Sequence, residues 1–251
     1  RELLFAASKV AGPHTDEAKL LLADLGVEQK TEPLPTAEPP KSFDDAMEKA
    51  TQILGVTSDL DEALKVIQAQ QKTPDLEQQV QEIRKQLNES YSIGVQVLRS
   101  GLTMVTNETD GEAINQARQI LAYFLYQSKR LRETFVVGNF LARNAPGTDL
   151  GLKGGLMALT SLQMLLAEVP DDENAGLLMQ LESLGKFLAA TWPNDPNAAA
   201  AQGIQVRLLL KKDDYAGAEQ LIEEMNPGNE RAAFKRLLGQ LLWNQSIVAR
   251  T

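Results

Sequence analysis

The chain has 251 residues, of which 43% are hydrophobic and 5% aromatic, and its formal net charge is −9. An acidic balance of this kind argues against generic binding to nucleic acids, because such binding requires a basic surface. The absence of cysteine excludes disulfides, thiolate catalysis and cysteine zinc sites. No run of about 18 apolar residues is present, so we expect no transmembrane segment.

The N-terminal part of the chain predicts a short helical segment over 1–30, followed by a proline-rich linker over 31–41. Four prolines within ten residues, starting at Thr31, disfavour both helix and sheet and are typical of an extended linker. The chain begins with Arg1 rather than Met, which leaves a removed signal or anchor as an open expectation. Both a cytoplasmic and an extracytoplasmic location therefore stay open.

Helical signals resume at Ser42, which is a good N-cap with Asp45 at the capping-box position. We expect a first helix that Gly55 ends and a second that Asp59 caps. Pro74 suits the first turn of a longer helix. Apolar residues then recur every three or four positions, which is the helical period: Leu76, Val80, Ile83, Leu87, Tyr91, Val95 and Leu98.

From Asp110 onward the pattern predicts a regular series of helices separated by short loops rich in Asp, Asn, Pro and Gly. Short connections place consecutive helices antiparallel, as a row of hairpins. The predicted fold is all-α, without β-sheet: hairpins stacked as an α-solenoid in one helical-repeat domain over 42–251. The predicted helices are 112–128, 132–144, 152–168, 174–191, 198–212, 215–225 and 230–247.

The segment Ala199–Glu230 resembles the tetratricopeptide repeat family. Its Tyr215-Ala-Gly-Ala218 sequence is similar to the family's turn into the second helix, where an aromatic residue precedes a small alanine by three positions. The resemblance implies two helices per repeat of about 34 residues, stacked into a superhelix. It further implies a concave face, lined by first helices, that binds a peptide or another protein.

A second segment, Asn115–Pro146, is similar to the same family. Leu121-Ala122 resembles the large and small pair of the first helix, and Lys129-Arg-Leu131 resembles the turn. Pro146 stands at the closing proline, whereas Thr134 stands where the family places alanine. The family's tryptophan is missing from both segments, and the proline spacing varies, so an unequal α-solenoid is expected.

Tyrosines and cations at helical spacing form the candidate binding surface. In the repeat frame they point to the concave face, where they anchor an acidic or aromatic peptide. The alternative is that the tyrosines belong to the core and the cations to a solvated face. The candidate partner-binding residues are Tyr123, Tyr126, Gln127, Arg130, Arg207 and Lys211.

No residue pattern indicates catalysis, a cofactor or a metal site. His14 is the single histidine, follows Gly12-Pro13 in a predicted loop, and has neither a cysteine partner nor a nucleophile elbow. Acidic pairs such as Asp213-Asp214 precede helices, where capping explains them. Gly151, Gly154 and Gly155 lack a phosphate-loop pattern and indicate close helix packing instead.

These observations favour a non-enzymatic protein-interaction or scaffolding module that binds a partner segment in a concave helical groove. The first alternative is a homo-oligomer assembled through the long helix 75–100 and the markedly apolar last helix. The second alternative is an enzyme whose site is assembled in space from distant residues, which would require a deep pocket with perturbed titratable groups.

Overall fold

The computed structural model describes residues 38–69, 73–170, 173–225 and 227–248, together with Ala7, His14, Thr15, Glu17 and Ala18. Within this part of the chain all regular structure is helical, which confirms the predicted all-α class. The helices that the structure describes are α1 Phe43–Gln68, α2 Pro74–Thr103, α3 Gly111–Gln127, α4 Leu131–Asn144, α5 Asp149–Glu168, α6 Ala175–Thr191, α7 Pro196–Lys211, α8 Tyr215–Glu224 and α9 Asn229–Val248.

The chain divides into two compact units, Arg1–Arg130 and Leu131–Thr251. The boundary lies inside the predicted domain 42–251 and inside the tetratricopeptide-like segment Asn115–Pro146. Most of the predicted N-terminal segment 1–30, and residues 31–37 of the predicted linker, lie outside the described residues. At the end of that linker, Pro39 and Pro40 have no regular structure.

Helix α1 begins as predicted but does not stop at Gly55. The Ser42 hydroxyl accepts a hydrogen bond from the Asp45 N–H at 3.1 Å, which caps the first turn. The expected break at Gly55 and the expected cap at Asp59 are wrong, because the helix runs through both positions. Ile53, Val56 and Leu60 are buried on both sides of the glycine, and their burial outweighs its cost of about 1 kcal/mol.

In the first unit, α2 packs against both α1 and α3. Pro74 occupies its first turn as predicted, and Thr73 caps it by accepting from the Leu76 N–H at 3.3 Å. The predicted apolar stripe faces inward, since Ile83, Leu87, Tyr91, Val95 and Leu98 are all buried within the chain. The first two members of the stripe, Leu76 and Val80, are half-buried, and the predicted self-association through this helix stays untested.

In the second unit, each helix from α4 to α9 contacts the next one in chain order. Helix α7 also contacts α5 and α9, so it touches four of the other five helices of this unit. Each predicted helix boundary in 112–247 lies within three residues of the observed one. The largest difference is at α5, which starts at Asp149 because the Thr148 hydroxyl accepts from the Gly151 N–H at 3.0 Å.

Glycines bring the helices of the second unit into close contact, as the sequence indicated. A Cβ added at Gly138 of α4 would lie 2.4 Å from the Gly154 carbonyl oxygen of α5. A Cβ at Gly155 would lie 2.4 Å from a methyl group of Leu188 in α6. A Cβ at Gly151 would lie 2.2 Å from the Ala145 carbonyl oxygen, and one at Gly154 would lie 3.0 Å from a methyl group of Leu141. These contacts agree with the packing interpretation of Gly151, Gly154 and Gly155.

Helix α5 is the described helix whose length and composition match a membrane span, with a mean hydropathy of 1.3 over an 18-residue window. Half of that window is buried inside the chain. Leu152, Leu159 and Leu162 pack in a core with Leu184 and Leu188 of α6, so α5 is also a core helix of its unit. The expected absence of a transmembrane segment stays a prediction.

Candidate functional site

The predicted binding residue Tyr123 lies in an aromatic cluster of the first unit. Its ring meets that of Tyr91 edge-on, with centroids 6.2 Å apart and planes at 88°, and it also contacts Phe124 at 5.9 Å. The Tyr91 hydroxyl donates to Asp61 Oδ2 at 3.2 Å. Burial raises the pKa of Tyr91, and Tyr123 and Asp61 add to the effect, so this phenol stays protonated. Tyr123 thus contributes to packing.

The other three candidates of α3 are Tyr126, Gln127 and Arg130, which are all half-buried. The cation over the Tyr126 ring is Lys129, whose Nζ lies 5.7 Å from the ring centroid. Lys129 has a φ of 57°, and the Arg130 N–H donates to the Leu125 carbonyl at 2.9 Å, which closes the C-terminus of α3. Lys129, which the sequence analysis did not select as an anchor, therefore pairs with Tyr126.

Arg207 and Lys211 lie on α7 in the second unit, and both are exposed. The guanidinium carbon of Arg207 lies 5.5 Å from the centroid of the Phe234 ring in α9. Arg207 thus packs on the last helix of its own unit, in a cation–π contact. Neither residue lines the pocket described next.

A pocket of about 420 Å³ lies in the second unit, lined by residues from α6, α7, α8 and the loop between α7 and α8. Seven of the lining side chains are polar: Glu182, Lys186, Gln205, Lys212, Asp214, Gln220 and Glu224. Apolar lining comes from Leu208, Leu209 and Leu221. A volume of this size is in the range of small-ligand sites, but its lining is more polar than the mainly apolar lining that is usual for them.

Gln205 is the buried polar residue of this pocket, with 3% of its surface exposed. Its Nε2 donates to the main-chain carbonyl of Glu182 at 3.5 Å, which is longer than the usual range of about 2.7 to 3.2 Å. The pocket therefore contains a buried amide that is held by one long hydrogen bond to α6.

The charged groups of the pocket are arranged in two sets. On α6, Lys186 Nζ lies 2.8 Å from Glu182 Oε1, and this hydrogen bond lowers the pKa of Glu182, with the charge of Lys212 adding to it. At α8, the Asp214 carboxylate caps the helix by accepting from the Gly217 N–H at 3.0 Å. Gln220 Nε2 donates to Glu224 Oε1 at 3.2 Å. The two carboxylates at α8 thus have neutral partners in these contacts.

Sequence reasoning missed this pocket, although one signal was present. Ala198, Ala201, Gln205 and Leu208 of α7, and its C-cap Lys212, follow each other at steps of three and four, so they share one helix face. Ala198 and Ala201 are fully buried. A glutamine that continues such a buried stripe is the feature that points to a polar site.

The described residues contain no group of three or more His, Asp and Glu side chains that could hold a metal ion. His14 is exposed, and its Nδ1 lies 3.6 Å from Glu17 Oε2.

The last helix, α9, exposes several large apolar side chains. Trp243 is 66% exposed, and Leu237, Leu242 and Ile247 each expose 40% or more of their surface.

Comparisons with protein-family models, with curated proteins and with solved structures found no match to this chain. The similarity to the tetratricopeptide repeat family therefore stays a prediction from the sequence.

Proposed function

We propose that the chain is a non-enzymatic protein-interaction module whose helices stack as an α-solenoid, and that its pocket binds an extended segment of a partner protein. The observation that carries this proposal is a pocket of about 420 Å³ whose lining combines the amide of Gln205, held by a long hydrogen bond, with three leucines. A buried amide with leucines around it can recognise both the main chain and the apolar side chains of such a segment.

The pattern of contacts in the second unit supports the stacking part of the proposal. Helix α7 contacts both neighbours in the chain, α6 and α8, and also α5 and α9. Contacts between every second helix, in addition to consecutive ones, are expected when helical hairpins stack on each other. Such a stack leaves a groove along its helices, and the pocket over α7 is the place where a partner segment would lie.

Glu182 lacks the pKa shift that is expected of a general base. The pKa of Glu182 is lowered by its hydrogen bond to Lys186, and a lowered pKa makes this carboxylate a weaker base at neutral pH. A general base would need the opposite shift. We therefore assign the charged side chains of the pocket to ligand recognition.

The test is selection of random peptides, displayed on phage, against the intact chain, followed by affinity measurement of the enriched peptides. Gln205→Met keeps the volume of the side chain and removes its hydrogen bonds. We expect this variant to bind the enriched peptides roughly twofold to tenfold more weakly while its circular dichroism stays unchanged. A screen without enriched peptides, or peptides indifferent to Gln205→Met, would contradict the proposal.

A matched control comes from the first unit. The double variant Tyr126→Ala/Arg130→Ala removes two of the residues that the sequence selected as anchors. We expect it to bind the enriched peptides as the unmodified chain does, because neither residue lines the pocket. If this variant loses binding while Gln205→Met retains it, the site is the predicted surface on α3 instead.

A second candidate function is self-association through α9, which the exposed Leu237, Leu242, Trp243 and Ile247 favour. Large exposed apolar side chains on one helix are typical of interaction surfaces. Light scattering over a range of micromolar concentrations tests this candidate. A rise in mass that Trp243→Gln abolishes would support it, and a constant monomer mass would exclude it.

A further inference from the structure

A second surface of the second unit, separate from the pocket, combines exposed apolar side chains with two arginines. This α4–α6 face consists of Arg132, Val136, Phe140 and Arg143 of α4 together with Met179 of α6, and none of these residues lines the pocket. We propose that the α4–α6 face binds an acidic segment of a partner protein. The apolar side chains of that segment cover Val136, Phe140 and Met179, and its carboxylates pair with the two arginines.

The part of the face on α4 is a stripe along the helix. Its residues, Arg132, Val136, Phe140 and Arg143, follow each other at steps of four, four and three, so they lie on one side of α4. All four are exposed, Val136 by 62% and Phe140 by 44%, whereas Leu141 on the other side is fully buried. The two arginines therefore flank two apolar side chains, with Cα atoms about 16 Å apart at the helical rise per residue.

Arg143 connects this stripe to α6. Its Nη2 donates to the Ser183 hydroxyl at 3.3 Å, and its guanidinium carbon lies 4.7 Å from the centroid of the Phe187 ring. Consecutive helices joined by short loops run antiparallel, so α4 and α6, which α5 separates, run in the same direction. Met179 precedes Ser183 by one turn. It therefore lies beside the turn of α4 that carries Phe140, and its exposed fraction of 71% extends the apolar surface onto α6.

The two arginines indicate an acidic partner. Within the part of the chain that the structure describes, neither Arg132 nor Arg143 forms an ion pair with a carboxylate. The described hydrogen bonds of Arg143 go to neutral oxygens, those of Asn139 and Ser183. A carboxylate of a ligand therefore adds charge-assisted hydrogen bonds that the chain itself does not supply to either guanidinium.

The other charges of the two helices leave this balance in place. Helices α4 and α6 together carry three cations and two carboxylates, whereas the whole chain has a net charge of −9. One carboxylate, Glu182, is held by Lys186 at 2.8 Å. The other, Glu133, is half-buried and already interacts within the chain. The α4–α6 face is thus basic within an acidic protein, which favours an acidic segment over a basic one.

The experiment selects phage-displayed peptides of about 15 residues from two matched libraries, with the intact chain as the target. Both libraries carry apolar residues at the centre and random residues elsewhere. One library has glutamate on both sides of the apolar centre, and the other has lysine at the same positions. The affinities of enriched peptides are then measured for the intact chain and for its variants.

We expect the glutamate library to yield binding peptides and the lysine library to yield none. Val136→Gln and Met179→Gln each replace an exposed apolar side chain and should weaken binding roughly threefold to tenfold, with unchanged circular dichroism. Arg132→Gln should weaken binding roughly twofold to fivefold, and its effect should shrink with rising salt.

Matched control variants come from α9, which also exposes an apolar side chain and an arginine. Trp243→Gln and Arg236→Gln make the same kinds of change there, and neither should alter the affinity. Gln205→Met should also leave it unchanged, because the pocket is a separate site.

Three results overturn the inference: no enriched peptide from the glutamate library, equal enrichment from the lysine library, or affinities that Val136→Gln and Met179→Gln leave unchanged. If Gln205→Met weakens these peptides instead, they lie in the pocket, so this inference is wrong and the proposed function gains support. Failure of the α4–α6 face is therefore distinguishable from failure of the pocket.

Discussion

Gly185 of α6 leaves the space in which the side-chain amide of Gln205 lies. A Cβ added at Gly185 would stand 2.8 Å from Gln205 Nε2 and 3.4 Å from the Ala201 carbonyl oxygen. The close contact is thus with the end of a flexible side chain, and the backbone of α7 keeps an acceptable distance. The position of the amide in the pocket depends on the absence of a side chain at 185.

This relationship predicts that Gly185→Ala separates stability from binding. The new methyl group should displace the Gln205 amide from its place in the pocket. The gain in helix propensity of about 1 kcal/mol should offset the cost of that displacement, so the free energy of unfolding should change by less than about 1 kcal/mol. Peptide affinity should fall roughly twofold to tenfold, as with Gln205→Met. Urea unfolding and peptide titration of the variant check both parts, and unchanged affinity would contradict them.

A second glycine should respond differently to the same substitution. A Cβ at Gly138 would lie 2.4 Å from the Gly154 carbonyl oxygen, and a main-chain atom cannot rotate away. We expect Gly138→Ala to force α4 and α5 apart and to destabilise the chain by about 1 to 3 kcal/mol. The control is Gly239→Ala in α9, where no atom lies within 4 Å and the alanine should stabilise the helix by about 1 kcal/mol. Equal unfolding midpoints for the two variants would show that α4 and α5 are not in close contact.

The left-handed conformation of Lys129 makes a prediction about the end of α3. Its φ of 57° costs a residue with a side chain about 1 to 2 kcal/mol, whereas glycine adopts it freely. Lys129→Gly and Lys129→Ala both lose the contact with Tyr126, so their comparison isolates the backbone. We expect the glycine variant to be more stable than the alanine variant by about 0.5 to 1 kcal/mol.

As a control, the same two substitutions at a helical position should give the opposite order of stability, with alanine above glycine. Lys85 is exposed in the interior of α2, where Lys85→Gly should be less stable than Lys85→Ala by about 0.5 to 1 kcal/mol. Thermal unfolding of the four variants provides the measurement. The same order at both positions would mean that residue 129 does not adopt the left-handed conformation.

Glu223 links the stability of the second unit to pH. Hydrogen bonds from Lys235, at 2.6 Å, and from Arg231 lower the pKa of Glu223 below its ordinary value of 4.5. Because the pKa is lower in the folded chain, the contribution to stability is present above pH 4.5 and is lost as the pH falls through the folded value.

Glu223→Gln should therefore lower the midpoint of thermal unfolding at about pH 6 and have little effect at about pH 3, where the wild-type carboxylate is itself protonated. Glu219→Gln, which changes an exposed carboxylate of the same helix, controls for the loss of one negative charge. The contradicting result is a difference in unfolding midpoint, between Glu223→Gln and the unmodified chain, that is equally large at both pH values. In that case the ion pairs with Lys235 and Arg231 are not its cause.

Much of the secondary structure could be predicted because helix ends have local causes. Ser42, Thr73 and Asp214 cap helices through side-chain contacts with residues three positions further along the chain. Gly55 and Asp59 misled the prediction, because burial of Ile53 and Leu60 against other helices decided that region. Such burial depends on tertiary contacts, which local patterns do not contain.

The candidate site was harder to predict because it is formed by side chains from different helices. Helical spacing correctly placed Tyr123 and Tyr126 on α3, but it did not reveal that Tyr91 lies against Tyr123. In the same way, spacing places Gln205 on the inner face of α7. It does not show that Gly185 and Glu182 of α6 lie beside it.

The most direct test of the proposed peptide site is nuclear magnetic resonance of the intact chain during titration with an enriched peptide. We expect the side-chain amide resonances of Gln205 to shift, together with main-chain resonances of Lys186 and Lys212, while those of Tyr126, Arg130 and Trp243 stay in place. Shifts at Tyr126 and Arg130, or at Trp243, with Gln205 unchanged would contradict the assignment of the pocket as the binding site.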